Sequence, residues 1–168
     1  MHQTAYEAGR KFFEQFGKDG DVIVEIGSRD VNGSLRDHCP PNGYWVGVDS
    51  EEGPGVDLLT TSTLNTGTAD LAVSSSCFEH DPCFWETFLE MARITKVGGH
   101  IYINAPSNGP VHRYPVDCWR FYPDAGQALA TWATRMSFPV ELIGCAVNEP
   151  YGDVWADFCA VFKRVALF

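Results

Sequence analysis

Short apolar runs alternate with polar, glycine-rich segments through the first two thirds of the chain. Each run spans three to five residues and is followed by an acidic, serine, asparagine or threonine side chain. Runs of this length, bounded by turn residues, are typical of buried strands in a parallel sheet. The pattern predicts five strands, over residues 22–26, 44–48, 56–59, 71–73 and 100–104.

Apolar residues recur at helical spacing in the segments between these runs. A capping box of Thr4 and Glu7 predicts the start of an N-terminal helix, which Gly17 ends. Asp81 is the predicted cap of a later helix that begins at Pro82 and continues to the glycine pair at 98–99. Two further helices are predicted, a short one within residues 32–38 and a longer one over 123–136.

The C-terminal part changes pattern. Two strand-like runs, over 140–147 and 155–162, are joined by a turn that contains Pro150 and Gly152, which indicates an antiparallel pair. Strands that alternate with helices predict an α/β fold, a Rossmann-like three-layer sandwich with minimal helices on one face. The sheet is expected to be mostly parallel with an antiparallel C-terminal strand. We expect a single domain over 1–168, in which residues 1–20 form the first helix and turn.

Composition narrows the range of partners. With 12 Lys and Arg against 22 Asp and Glu, the net charge is −10, which disfavours nucleic acid. No run is long enough to cross a bilayer, and the N-terminus lacks a secretory apolar core. The six cysteines show no paired short spacing, so a reducing cytoplasm is the expected location. A neutral or cationic small molecule is the substrate class that suits this charge.

The first two predicted strands carry a candidate nucleoside site. In the first, the apolar run over 22–24 ends at the acidic Glu25 and a turn follows at Gly27; the second is followed by Asp49. A carboxylate at the tip of the second strand of such a sheet can accept hydrogen bonds from two ribose hydroxyls. The chain therefore has the pattern of a protein that holds a nucleoside-bearing cofactor.

Five segments in order resemble the class I S-adenosylmethionine-dependent methyltransferases. More narrowly, they are similar to small methyltransferase-domain proteins found among glycan and secondary-metabolite genes. The segments are VEIGSRDVNGS (24–34), YWVGVDSEEGPGVDLL (44–59), DLAVSSSCFEH (70–80), FLEMARITKVGGHIYINAPS (88–107) and VHRYPVDCWRFYPD (111–124). The resemblance implies S-adenosylmethionine as cofactor and methyl transfer to oxygen or nitrogen of a small-molecule acceptor.

The resemblance also implies the residues that hold the cofactor. Asp49 would accept the ribose hydroxyls, Thr61 would lie beside adenine, and Arg29 would either pair the cofactor carboxylate or point to solvent. The full set of cofactor-binding candidates is Glu25, Gly27, Ser28, Arg29, Asp49, Ser50, Thr61, Ser75 and Ser76. Arg29 stands where relatives often have glycine, and Thr61 stands where many have an acid.

Three side chains are candidates for catalysis on the acceptor. His80 and His112 follow the fourth and fifth strands, and an imidazole suits general-base work at neutral pH. For His80 the alternative is a structural role, in which it packs the start of the helix, and this role is favoured. Tyr114 could present its hydroxyl to the acceptor. In the same loop, an Asp117–Arg120 salt bridge is expected to hold the loop in shape.

Several alternatives stay open at this stage. The first is a cofactor-binding module without catalysis that acts as a partner subunit, and the second is an NAD-dependent oxidoreductase, which the missing G-x-G-x-x-G pattern disfavours. A cysteine hydrolase at Cys77 is disfavoured, and a zinc site from Cys77, His80 and Cys83 lacks the expected spacing, so no metal is predicted. The short chain leaves either an open active site or a site completed by a second subunit in a homodimer.

Overall fold

The computed structural model describes residues 2–167. Helices α1–α3 and strands β1–β6 follow one another as α1 (Gln3–Phe16), β1 (Val22–Ile26), β2 (Tyr44–Val48), β3 (Ala69–Ser75), α2 (Phe84–Ile94), β4 (Thr95–Pro106), α3 (Asp124–Arg135), β5 (Val140–Asn148) and β6 (Asp157–Arg164). Two short 3-10 helices lie at Leu35–His38 and Thr61–Thr63. The predicted order of helices and strands is largely confirmed.

All six strands form one sheet in the order β2-β1-β3-β4-β6-β5. β1 pairs in parallel with β2 and β3, and β3 pairs in parallel with β4. β6 runs antiparallel to both of its neighbours, β4 and β5. The prediction of a mostly parallel sheet with an antiparallel C-terminal strand is therefore confirmed. The carboxyl ends of β1 to β4 lie at one edge, where the loops that carry the candidate residues converge.

Two apolar clusters cover the two faces of the sheet. On one face, Phe12 and Phe13 of α1 pack with Ile23 and Tyr102 of the strands. On the other face, α2 and α3 pack over a larger cluster that includes Phe88. Alternation along β1 explains the division, because successive strand residues point to opposite faces. The predicted three-layer arrangement with minimal helices on one face is confirmed, and α1 is the main helix of that face.

The strand predicted over 56–59 is wrong. Its only strand-like contact among the described residues is an isolated parallel bridge between Val48 and Leu58. The carboxylate of Asp57 accepts a hydrogen bond from the Gly47 amide at 2.7 Å, and so occupies a β2 edge donor that a strand would use. This segment is a loop fastened to the sheet edge.

Three predicted helix ends are also wrong. α1 begins at Gln3, and Thr4 is inside the helix with its hydroxyl directed to Asp157 of β6, so the capping box does not form. α2 begins at Phe84, while Asp81 accepts from the Cys83 amide at 2.8 Å just before it. α2 ends at Ile94 because Thr95 already pairs with Ala69, which places the 98–99 glycine pair inside β4.

None of the helices described between residues 2 and 167 is both long and apolar enough to span a bilayer. The expected cytoplasmic location stays a prediction.

Candidate functional site

A cleft of about 760 Å³ opens at the carboxyl edge of the parallel strands. Eleven of the twelve site residues predicted from sequence line it: Glu25, Gly27, Ser28, Arg29, Asp49, Ser50, Ser75, Ser76, His80, His112 and Tyr114. They come together because the carboxyl ends of parallel strands share one edge. Their roles stay predictions.

The turn after β1 brings backbone to the floor of the cleft. Gly27 has a φ of 75°, and its amide donates to the Val48 carbonyl at 2.9 Å, so the turn is fastened to the end of β2. A Cβ at Gly27 would lie 2.5 Å from both Cβ and Sγ of Cys77. Glycine is therefore required by the backbone conformation and by the close packing against the loop after β3.

Asp49 is oriented by two backbone amides. Its Oδ2 accepts from the Arg29 amide at 3.1 Å, and its Oδ1 accepts from the Glu51 amide at 3.2 Å. Because each carboxylate oxygen can accept two hydrogen bonds, one acceptor position remains on each oxygen. This arrangement suits a pair of neighbouring hydroxyl donors.

The Arg29 side chain forms an ion pair with Glu51 at the mouth of the cleft. It packs over Gly53, where an added Cβ would meet the Arg29 side chain at 2.9–3.2 Å. The guanidinium thus has a protein partner at the cleft, and its pairing with the cofactor carboxylate stays a prediction.

Glu25 is almost completely buried, at 4% exposure. Burial raises the pKa of its carboxyl to about 8, although the Trp45 indole N–H, at 3.2 Å from Oε2, opposes this shift. Glu25 therefore stays protonated at neutral pH until a positive charge enters the cleft.

We expect Glu25→Gln to change the pH dependence of stability. With a folded pKa of about 8 against an ordinary 4.5, the folded wild type holds a proton that the unfolded chain releases, so its stability falls as pH rises from 4.5 to 8. The variant lacks this fall and should be more stable than wild type by about 1–3 kcal/mol at pH 8, but not at pH 4.5. Urea unfolding at both pH values measures the difference. An equal gain in stability at both pH values would contradict the assignment of this pH dependence to Glu25. A similar pH-dependent gain in the exposed control Glu52→Gln would contradict it as well.

The end of β3 supplies the opposite wall of the cleft. Ser75 Oγ lies 3.4 Å from Asn104 Oδ1, and the Ser76 amide donates to the Asn104 carbonyl at 3.0 Å. Thr61, by contrast, is not among the lining residues, because its hydroxyl donates to Glu90 of α2 at 2.7 Å. Its contact with adenine stays a prediction.

The predicted catalytic side chains cluster beyond the end of β3. The rings of His80 and His112 pack edge to face with centroids 4.9 Å apart, and Tyr114 lies 6.4 Å from His80. His80 Nδ1 is 2.6 Å from the Val116 carbonyl, which fixes that ring. Burial lowers the pKa of His112, against the opposing effect of Asp117.

The expected Asp117–Arg120 salt bridge is present, and it connects the two ends of this part of the loop. Arg120 contacts both of its carboxylate oxygens, at 2.6 and 2.8 Å, and the His112 amide donates to Oδ2 at 2.7 Å. These donors hold the pKa of Asp117 well below its ordinary value. At neutral pH Asp117 is therefore ionised, and its ion pair with Arg120 holds the loop in shape.

Glu79 is the main residue of the site that sequence reasoning did not identify. Its side chain is 1% exposed, and burial raises its pKa to about 7. Its Oε1 lies 3.6 Å from His80 Nε2 and 3.9 Å from His112 Nε2. The adjacent Glu79-His80 pair was visible in the sequence, but nothing local indicated that Glu79 points inward.

Trp155 and His2 also line the cleft and were not predicted. Trp155 precedes β6, in place of the predicted strand start, and its ring lies 4.7 Å from that of His112. Only the tertiary structure brings the two chain ends to this cleft.

Cys77 does not have the character of a nucleophile. Burial raises the pKa of its thiol far above the ordinary value, and nearby Glu79 adds to the effect. Reactive cysteines instead have a lowered pKa in an electropositive setting. The structure therefore gives no support to a cysteine hydrolase.

No protein-family model matches the sequence. No curated protein matches it either.

Solved structures do match, at low identity. A 1,6-didemethyltoxoflavin-N1-methyltransferase from Burkholderia thailandensis, crystallised with 1,6-didemethyltoxoflavin and S-adenosylhomocysteine, superposes with a TM-score of 0.71 at 12% identity, covering 97% of this chain and 79% of that one. An S-adenosylmethionine-dependent methyltransferase from Methanosarcina mazei gives 0.68 at 13% identity, covering 93% and 98%. One from Mesorhizobium loti gives 0.62 at 15% identity, covering 94% and 96%. The chain thus has the class I methyltransferase fold; a link to glycan or secondary-metabolite genes stays a prediction.

Proposed function

We propose that this protein transfers the methyl group of S-adenosylmethionine to oxygen or nitrogen of a small-molecule acceptor. The observation that carries the proposal is the geometry of Asp49. Its carboxylate is held by two backbone amides at the cleft floor and keeps two acceptor positions for adjacent hydroxyls. The solved structures that share the fold, one of them with S-adenosylhomocysteine bound, support this choice of cofactor.

The residues of the cleft fit the cofactor. Ser28 Oγ is buried and has no hydrogen-bond partner among residues 2–167, so a polar ligand group would satisfy it. Glu25, neutral when the cleft is empty, would ionise beside a cationic group and stabilise it. S-adenosylmethionine supplies a methyl group already activated on a sulfonium, so the protein's main task is alignment.

The acceptor side of the cleft would be formed by His80, His112 and Tyr114. All three line the cleft beyond the end of β3, separate from Asp49 at the end of β2. Small acceptors suit a cleft of about 760 Å³ that must also hold the cofactor. The net charge of −10 favours neutral or cationic acceptors.

A thermal-shift panel tests the cofactor assignment. S-adenosylmethionine and S-adenosylhomocysteine should each raise the melting temperature, while NAD should not, because only a ligand bound to the folded state stabilises it. Stabilisation by NAD alone would favour an oxidoreductase. No shift with any of the three would overturn the proposal.

Turnover then distinguishes an enzyme from a silent binding module. Purified protein with S-adenosylmethionine is assayed for S-adenosylhomocysteine release across phenol, catechol, amine and sugar acceptors. Release that depends on an acceptor supports methyl transfer. Tight cofactor binding without release for any acceptor would favour the module.

We expect His112→Ala to lower turnover about 100-fold or more while S-adenosylmethionine affinity changes less than threefold. The reason is position: His112 lies on the acceptor side, and a side chain that acts on the acceptor contributes to kcat and not to cofactor binding. Steady-state kinetics and calorimetric titration measure the two quantities. The control is His100→Ala, a half-buried histidine in β4 that does not line the cleft. Equal loss of turnover and affinity would contradict the assignment.

A further inference from the structure

Three potential ligand atoms converge on the acceptor side of the cleft. Glu79 Oε1, His80 Nε2 and His112 Nε2 each contribute one donor atom, and suitable ligand atoms of the three lie within 4.8 Å of one another. The separations from Glu79 Oε1 are 3.6 and 3.9 Å. When an ion is bound at about 2.0–2.2 Å, its ligand atoms are separated from each other by roughly 3–4 Å. Only small shifts of these three side chains would therefore bring all of them into contact with one ion.

The His80 ring is oriented as a metal-ligating histidine is. Its Nδ1 lies 2.6 Å from the Val116 carbonyl, which can only accept, so Nδ1 donates a proton there and Nε2 is the nitrogen that faces Glu79. His112 Nδ1 lies 3.4 Å from Asp117 Oδ2 without a hydrogen bond to any residue that the structure describes. An oxygen acceptor behind an imidazole, as at His80, is the usual outer support of a metal site.

One oxygen of the Glu79 carboxylate has no hydrogen-bond donor in the part of the chain that the structure describes. Glu79 is 1% exposed, and its Oε2 has no hydrogen-bond partner within the described chain. The Glu79 carbonyl accepts from the amides of Cys118 and Trp119, which fastens the end of β3 to the loop that carries His112. A buried carboxylate with an unpaired oxygen is stabilised by a cation beside it.

We propose that Glu79, His80 and His112 bind a divalent transition-metal ion at the acceptor side of the cleft. Two imidazoles and one carboxylate suit Zn²⁺, Co²⁺, Mn²⁺ or Fe²⁺, whereas Mg²⁺ and Ca²⁺ prefer oxygen ligands. Three protein ligands leave coordination positions open, as catalytic sites require. These positions face the cleft, because all three residues line it.

The ion determines which acceptor is methylated, an inference that rests on the proposed methyl transfer. A hydroxyl that coordinates a divalent ion loses its proton more readily, so an acceptor with one or, better, two adjacent hydroxyls fits the site. The acceptor O–H bond breaks and its proton passes to solvent. The oxygen then bonds to the methyl carbon while the S–CH₃ bond breaks and its electron pair stays on sulfur.

Metal binding is tested on the whole protein after treatment with a chelator. Calorimetric titration with Zn²⁺, Co²⁺ and Mn²⁺, with Mg²⁺ for comparison, should show one site for the transition ions, and Co²⁺ should give a d–d absorption band. Single variants Glu79→Gln, His80→Ala and His112→Ala should each weaken Co²⁺ binding at least tenfold, with His100→Ala unchanged. Circular dichroism confirms that each variant is folded.

The outcomes separate this proposal from the methyltransferase assignment. Absence of 1:1 binding, or binding that the three variants do not weaken, would overturn the metal site; a proton shared between Glu79 and a histidine would then be the cation. Stabilisation by S-adenosylhomocysteine in the presence of chelator would leave the methyltransferase proposal intact in that case. Metal binding without any response to either cofactor form would retain the site and overturn the methyltransferase.

Discussion

Asp49→Ala is expected to weaken S-adenosylmethionine binding by about 1.5–3 kcal/mol, or roughly 10- to 150-fold in Kd. The carboxylate would lose two charge-assisted hydrogen bonds to the cofactor, which are stronger than neutral ones. The same substitution also frees the amides of Arg29 and Glu51, which loosens the rim of the cleft. Calorimetric titration with S-adenosylmethionine and S-adenosylhomocysteine measures the loss, which should be similar for both forms.

Two control variants separate the effect of the lost hydrogen bonds on cofactor affinity from the effect of the lost charge. Asp49→Asn keeps one acceptor oxygen and should fall between wild type and Asp49→Ala. Glu52→Ala makes the same change in net charge at an exposed residue that does not line the cleft, and its affinity should match wild type. Unchanged affinity in Asp49→Ala would remove the observation on which the proposed function rests.

Gly27→Ala is expected to destabilise the folded protein by about 2–4 kcal/mol and to reduce cofactor affinity as well. A positive φ costs a non-glycine residue about 1–2 kcal/mol, and the added Cβ would lie 2.5 Å from two atoms of Cys77. Relief of that contact moves the turn after β1 away from the loop after β3, and both contribute to the cleft. Urea unfolding and calorimetric titration measure the two effects.

Gly20 provides a matched control for the contact with Cys77. Its φ of 76° is nearly that of Gly27, but a Cβ there meets nothing within 4 Å. Gly20→Ala should therefore lose only the conformational part, and the difference between the variants is the cost of crowding. The double variant Gly27→Ala/Cys77→Gly should recover part of that difference. Equal destabilisation at Gly20 and Gly27 would show that the close packing has no energetic effect.

The strands and their polar ends could be predicted because they depend on local sequence. The predicted bounds 22–26 and 44–48 are those of β1 and β2 in the structure. They could be predicted because a continuous apolar run between turn residues has few alternatives to a buried strand. Asp49 follows from the same pattern, because a residue directly after a parallel strand must lie at the carboxyl edge. The cleft was therefore predictable as a location before its shape was known.

Where local signals competed with long-range contacts, the predictions were wrong. Thr4 has the sequence of a helix cap, yet its hydroxyl binds Asp157 from the opposite end of the chain. Residues 56–59 have the sequence of a strand, yet the Asp57 carboxylate occupies the edge of β2. In the first case the Asp157 carboxylate accepts the hydroxyl that would have capped the helix backbone. In the second, the Asp57 carboxylate accepts from the Gly47 amide, which a backbone carbonyl of a neighbouring strand would otherwise bind.

The sequence by itself determined the α/β class, the mostly parallel sheet and the edge at which Gly27 and Asp49 meet, because strand periodicity and glycine conformation are local properties. Only the tertiary structure decided that Glu79 is buried between His80 and His112, since that requires the loop after β4 to fold back over the end of β3. Burial and the convergence of distant side chains depend on how whole elements pack, and these are the features that give the acceptor side its chemistry.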